Sequence, residues 1–353
     1  MNAYRLRILL YGLEQFHGER STSGLYHLLK GKKSSQTIQD GKLFGVSLLF
    51  RTMPRLKRKS FDEDLAYLVK HQYVEQGDLP EGFLLLTKAG KAEVKRFLQS
   101  DVFPHGLDGW GCDPLIRPFW NRFSLLVQSV SNLMNGTAQF IPVSKDESLF
   151  KWVKDWFISV GYSKAELADS FYWECRQLLG ALPELQAKAI VLRLSAAHRY
   201  GLTFSQIGAE LSEDEDAALY LFQAGIHQIL HNVQGNPKLY PLLSTLIRDV
   251  QTQVPLTVST RKTYQLWERG FSFEKIARIR SLKESTIEDH FVEIALNDPA
   301  FSIQSFVSKE LQQMILSVYK TTKTKRIKPI KEAIEADVSY FQIRLVLAKG
   351  ERI

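Results

Sequence analysis

Three places in the chain carry side chains whose type and spacing suit chemistry. The first is Gly31-Lys32-Lys33-Ser34-Ser35, which looks like the end of a phosphate-binding loop. Such a loop wraps phosphate in backbone N–H groups and needs a glycine five positions before Gly31, where this chain has Tyr26. The second is His227 with His231, a spacing that sets two imidazoles on one helix face where they can share a metal. Neither the glutamate of an HExxH motif nor an obvious third ligand accompanies them, so no metal is expected. The third is Cys112 with Cys175, which lack CxxC spacing and read as two separate thiols rather than a zinc knuckle or redox pair. Acidic residues fall at helix starts, and no set of nucleophile, base and orienting group assembles. The expectation is a non-enzyme with no cofactor and no small-molecule substrate.

What remains is charge. Residues 1–60 hold 12 Lys/Arg against 3 Asp/Glu. Lys30, Lys32 and Lys33 precede a helix carrying Gln36, Thr37, Gln39 and Lys42, and Arg55, Lys57, Arg58 and Lys59 form a second cluster. Lysine contacts phosphate and glutamine can read adenine edges, so these residues are candidate DNA contacts; a basic solvated surface is the rival reading. A third basic group, Lys320, Lys323, Lys325, Arg326 and Lys328, lies in the tail. The net charge of +8 suits an anionic partner.

These groups must be held by helices. Apolar spacing predicts a helix over Tyr4–Phe16, and Ser21 or Ser23 and Ser34 or Ser35 can start the next two. Ser60 with Glu63 reads as a capping box before DEDLAYLVK. YVEQ and FLLLT around GDLPEG read as a hairpin, and Thr87 opens a helix to Phe97. Helices followed by such a hairpin look like a winged helix, expected over 1–100. The segment 101–236 is expected to be a helical middle domain. GLDGWGCDP and NGTAQFIPVSKDES in it are loop-like by composition, and RPFWNRFSLLVQSVSNLM reads as a buried helix. Capping pairs Ser163/Glu166, Thr203/Gln206 and Ser212/Glu215 punctuate the rest, with Pro183 opening PELQAKAIVLRLSAAHRY. Helix, short helix, turn and long helix there outline a helix-turn-helix similar to region four of sigma factors.

The outline recurs from about 255, where RKTYQLWER ends at Gly270, Ser272 caps FEKIARI and STIEDHFVEIAL follows. The fold class expected is mainly α, with further helices near 308–319, 328–335 and 340–349. Forty-four per cent hydrophobic and 24% charged residues suit a folded chain. The first segment is too charged for a signal peptide, and no run is long and apolar enough for a membrane span, so a cytoplasmic location without membrane attachment is expected.

TYQLWERGFSFEKIARIRSLKESTIEDHFVEIAL with KPIKEAIEADVSYFQIRLVLAK resembles the helix-turn-helix domain associated with RecQ-type helicases. Together with GLYHLLKGKKSSQTIQD and GLTFSQIGAEL, the chain resembles the YpbB family of Gram-positive bacteria. The resemblance implies a non-catalytic partner of a RecQ-family helicase in DNA recombination or repair. The same C-terminal motif is similar to LuxR-type DNA-binding modules at Thr286, Ile287 and His290, but Glu288 and Asp289 fill the positions between. With Glu284 and Glu293 they are read as an acidic face that repels phosphate and suits a cationic protein partner. Glu213–Asp216 at the start of the middle module's last helix read the same way. The alternative function is a helix-turn-helix transcription regulator.

Overall fold

The computed structural model describes residues 3–137, 139–250, 254–322 and 324–350. Among these, α1 (Ala3–Phe16), α2 (Thr22–Lys30) and α3 (Ser35–Leu43) lead through a 3-10 turn to α4 (Arg58–Lys70). Strands β1 (Val74–Glu75) and β2 (Leu85–Leu86) pair antiparallel, with Val74 opposite Leu86. Then come α5 (Lys88–Leu98), α6 (Gly109–Met134), α7 (Glu147–Ser159), α8 (Lys164–Gly180) and α9 (Glu184–Arg193). They are followed by α10 (Phe204–Leu211), α11 (Glu215–Gly235) and the short α12 (Pro241–Ser244). The C-terminal run is α13 (Val258–Glu268), α14 (Phe273–Arg280), α15 (Glu284–Asn297), α16 (Lys309–Thr322), α17 (Ile327–Glu332) and α18 (Tyr340–Lys349). The fold is mainly α, with one β-hairpin.

Local signals set many of these boundaries. Ser163 with Glu166, Thr203 with Gln206 and Ser339 with Gln342 form reciprocal capping boxes. Ser272 accepts the Lys275 N–H. Ser60 does not cap α4, which begins two residues earlier after Lys57. Arg58 holds that first turn by lying over the Tyr26 and Phe61 rings and donating to Ser23 and Asp62. Ser212 does not cap α11 either. It sits left-handed at φ 58° and closes α10, and Asp214 caps α11 by accepting the Ala217 N–H. Helix α6 starts at Gly109, inside the segment expected as loop, and passes through Pro114 and Pro118. Trp110, Cys112, Leu115 and Phe119 are buried along it, so burial overrides local composition.

Contacts group the chain into two units that are each discontinuous in sequence. One joins Met1–Leu9 to Lys91–Thr252, and the other joins Leu10–Gly90 to Gln253–Ile353. The consecutive segments 1–100, 101–236 and 255–353 differ from this grouping because α3 packs on α15 and α18, while the start of α1 packs on α11. The first unit is built round Phe119, Phe123 and Leu126 of α6, Ile190 of α9, and Leu221 and Ile226 of α11. The second has Ile276, Ile287, Phe291, Ile315, Ile343 and Val346, with Leu43 of α3 laid against them. Trp267 stands edge-on to Phe291 at 4.9 Å, and the Tyr264 hydroxyl donates to Asp298, so both pack inward.

The helix-turn-helix outlines expected in the middle and at the C-terminus both form. α9, α10 and α11 pack together, as do α13, α14 and α15. In each, an eight-residue middle helix is closed by a left-handed serine, Ser212 or Ser281. A left-handed residue turns the chain sharply, so the third helix crosses the second.

Candidate nucleic-acid interface

A helix-turn-helix reads DNA by sending the exposed start of its last helix into the major groove. In the first unit that end, on α11, is occupied. Asp214 accepts the Tyr4 N–H at 2.9 Å, and Arg5 lies 3.6 Å from Asp216. The Tyr4 side chain is buried beside Tyr220 and Phe97, and its hydroxyl donates to the Val102 carbonyl at 3.0 Å. The acids at the start of α11 thus cap two helices, their own and α1, whose first N–H groups need acceptors.

In the second unit, α15 is occupied differently. Ile287, His290, Phe291, Glu293 and Ile294 are buried, with α3, α13 and α18 packed on the helix. Arg344 of α18 pairs with Asp289 and donates through Nε to Gln39 Oε1 of α3 at 3.0 Å. His290 is not at a surface. Its Nδ1 lies 2.8 Å from the Thr263 hydroxyl, which also accepts from Arg280. Burial, then the Arg280 charge, push its pKa down to about 4, so it is neutral near pH 7.

The expected acidic face therefore divides. Glu293 is 3% exposed and belongs to no surface; its carboxylate accepts the Thr257 N–H and the Thr260 hydroxyl, pinning the start of α13. Burial raises its pKa against those bonds. Asp289 is committed to Arg344. Glu288 is half-buried beside Phe273 and Phe341, and burial raises its pKa. Glu284 is exposed at the start of α15, where it favours the helix dipole.

The basic candidates divide too. Gln39 is buried against Arg344 and cannot reach a base edge, whereas Gln36 and Lys42 are exposed on α3. Lys323 lies outside the described residues. Lys325 donates to the Leu43 carbonyl and lies over Phe44, and Arg326 donates to the Gly18 carbonyl and lies over Phe83. Both are half-buried, so these tail cations fasten the C-terminal run to the N-terminal segment rather than form an open patch.

The first two clusters form one surface. The backbone from Arg51 to Leu56 runs beside α2: Arg51 N–H donates to Leu28, Met53 N–H to Leu29, and Tyr26 donates to the Leu56 carbonyl. Gly31 bends left-handed at φ 76°, and a Cβ there would lie 2.5 Å from the Arg51 side chain, so glycine permits this approach. Lys30, Lys32 and Lys33 thus lie at one end of α2, and Arg58 reaches Ser23 near the other, about 13 Å along a nine-residue helix. Between them, His27 has its pKa lowered by partial burial and then by Lys32 and Arg58 together. One imidazole feels both clusters, so their fields overlap. Lys32, Lys33, Arg55, Lys57 and Lys59 are exposed along this stripe, and Lys30 is half-buried.

The Gly31-Lys32-Lys33 segment does not build a phosphate loop. The residues that would wrap phosphate are the last turns of α2, whose carbonyl end carries the negative dipole pole. His227 and His231 do not act as a pair either. His227 Nδ1 accepts the Asp108 N–H at 2.8 Å, while His231 faces the Asp108 carboxylate and Cys112. This grouping was unreadable in sequence because Asp108 and Cys112 precede those histidines by about 119 residues. Both cysteines are free thiols. Among the described residues no helix is long and apolar enough to cross a membrane.

Comparison with known proteins adds identity to this geometry. A helix-turn-helix domain family matches residues 259–347, which span α13–α18 almost entirely. Protein YpbB of Bacillus subtilis (strain 168) is 37% identical over 335 residues, covering 95% of this chain and 94% of that protein. No solved structure matches. Likeness at that level extends over nearly the whole of both chains, and the chain belongs to the YpbB family.

Proposed function

We propose that this chain is a non-catalytic accessory protein of a RecQ-family DNA helicase in recombination or repair. It contacts DNA through the α2 stripe and works in the cytoplasm. The observation that carries the reading is the occupation of both recognition helices: α11 by Tyr4 and Arg5, and α15 by α3 and Arg344. A transcription regulator needs such a helix open to the groove. Here the helix-turn-helix units serve as packing modules. The exposed lysines and arginines beside α2 suit sequence-independent phosphate contact, which positions a protein on nucleic acid without reading it. The choice of partner rests on the resemblance read in the sequence of residues 263–296 to helix-turn-helix domains associated with RecQ-type helicases.

Affinity purification of the tagged chain from its own cells, with nuclease treatment to remove bridging DNA, tests this. The helicase is expected among the partners at stoichiometric recovery. Its absence, with RNA polymerase or a defined promoter recovered instead, overturns the reading in favour of a regulator.

A further inference from the structure

We propose that Asp108, Cys112 and His231 form a zinc site in the first unit, with water in the fourth position. Asp108 Oδ2 lies 3.2 Å from His231 Nε2, and Cys112 Sγ lies 3.7 Å from the same nitrogen. All three ligand atoms are within 4.8 Å of one another. Zinc bonds of about 2.0–2.2 Å to oxygen or nitrogen and about 2.3 Å to sulfur, set tetrahedrally, require edges of about 3.4 Å for N···O and about 3.6 Å for N···S. The two measured edges fall within about 0.2 Å of these values.

The surroundings hold the ligands in place. Asp108 caps α6, with Oδ1 accepting the Gly111 N–H at 3.0 Å, which leaves Oδ2 for the metal. A Cβ on residue 111 would lie 2.2 Å from that Oδ2, so Gly111 gives the carboxylate room to lean over the first turn toward Cys112. His227, one turn before His231 on α11, accepts the Asp108 N–H and fixes the loop from behind, as outer-shell histidine and backbone partners do around metals. The His231 and Asp108 side chains are 51% and 35% exposed, so an ion has an entry path and water can fill the fourth position. The mixed sulfur, nitrogen and oxygen set suits zinc over calcium or magnesium, which favour oxygen alone. On binding, the Cys112 S–H gives its proton to solvent as the S–Zn bond forms, and His231 binds through the Nε2 lone pair with its proton on Nδ1. The ion would clip the start of α6 to α11.

The untagged full chain, stripped with chelator and refilled with zinc or cobalt, provides the test. One zinc per chain is expected to survive gel filtration, and the cobalt form is expected to show thiolate-to-metal charge-transfer absorption. His231→Gln, at a half-exposed position, and Asp108→Asn, which keeps the helix cap, should each weaken zinc binding more than tenfold. Cys112→Ser should abolish the cobalt–thiolate band, and Cys175→Ser should leave both readouts unchanged. Failure of the wild-type chain to retain zinc overturns the site. So does wild-type affinity in a folded His231→Gln variant, or a thiolate band that disappears with Cys175 instead of Cys112.

Discussion

The guanidinium of Arg344 donates to Gln39 Oε1 at 3.0 Å, across 305 residues of sequence. The same group pairs with Asp289. One side chain from α18 thereby ties α3 to α15, the helix that would otherwise enter a DNA groove. Removing it leaves Gln39 Oε1 buried without this donor and Asp289 without its cation. Arg344→Ala should destabilise the chain by about 2 kcal/mol, read as a lower denaturant midpoint with little change in slope. An unchanged midpoint would show that α3 and α15 stay joined by apolar contact alone.

The same bond decides which charge reversals are informative. Asp289→Lys places a cation against Arg344 and should perturb the fold, and Glu293→Lys would bury an ammonium where two threonines donate. Glu284→Lys is exposed and should lower the melting temperature by a few degrees at most, since a charge at a helix start is worth about 0.3–1 kcal/mol. If the start of α15 meets a cationic partner, Glu284→Lys should slow association and flatten its salt dependence. Identical association rates at low salt would remove Glu284 from the interface.

The basic stripe predicts salt-dependent, sequence-tolerant DNA binding. Lys32→Glu, Arg55→Glu and Lys57→Glu together should weaken binding to any duplex and reduce the slope of log affinity against log salt by up to about three, at roughly 0.9 per phosphate contact. Arg58 is a poor choice for this test because it braces α4 against Tyr26 and Phe61. An unaltered slope in the triple variant would place the DNA contact elsewhere.

His290 supplies a pH test of the buried α13–α15 junction. Its pKa is about 4 when folded, through burial and Arg280, with Asp289 acting in the opposite sense, against an ordinary value of 6.5. The unfolded chain therefore binds more protons than the folded one between these values. The stability due to neutral His290 is present above about pH 6.5 and is lost as pH falls toward 4, at up to about 1.4 kcal/mol per pH unit. Burial raises the pKa of Glu293, which pulls the other way, so a variant must isolate the histidine. The stability gap between wild type and His290→Gln should shrink from pH 7 to pH 4.5 in equilibrium denaturation. A constant gap would mean that the His290 pKa is the same in the folded and unfolded chains, and a gap that widens on acidification would mean that the folded chain holds it protonated.

The chain alone is expected to hydrolyse no ATP and cut or unwind no DNA, because Gly31-Lys32-Lys33 follows a helix instead of ending a phosphate loop. An activity that copurifies through successive columns and disappears with one substitution in this chain would refute that.

Short-range signals carried much of this fold. Thr203 with Gln206 and Ser163 with Glu166 sit three residues apart, and such caps are visible wherever the sequence is read. The hairpin, the recurring helix-turn-helix outline and the family likeness were also readable. Helix α6 was readable only in part: its first residues are glycine- and proline-rich, and only the buried Trp110, Leu115 and Phe119 make them helical. The site residues were less readable than the fold. Whether Gln39 reads a base or bonds Arg344 depends on a partner 305 positions away, and whether Glu293 faces solvent depends on Thr257 and Thr260. Charge type is local, but exposure is set by tertiary packing.

The partner proposed for this chain is a RecQ-family helicase. Isothermal titration of the full chain into that helicase, purified from the same cells and free of nucleic acid, measures it directly. A saturable complex at micromolar concentration or tighter is expected, with little preference of the chain for any one duplex sequence. No heat of binding to the helicase, together with one duplex sequence bound at least about a thousandfold more tightly than random DNA, would contradict it and establish a sequence-specific regulator.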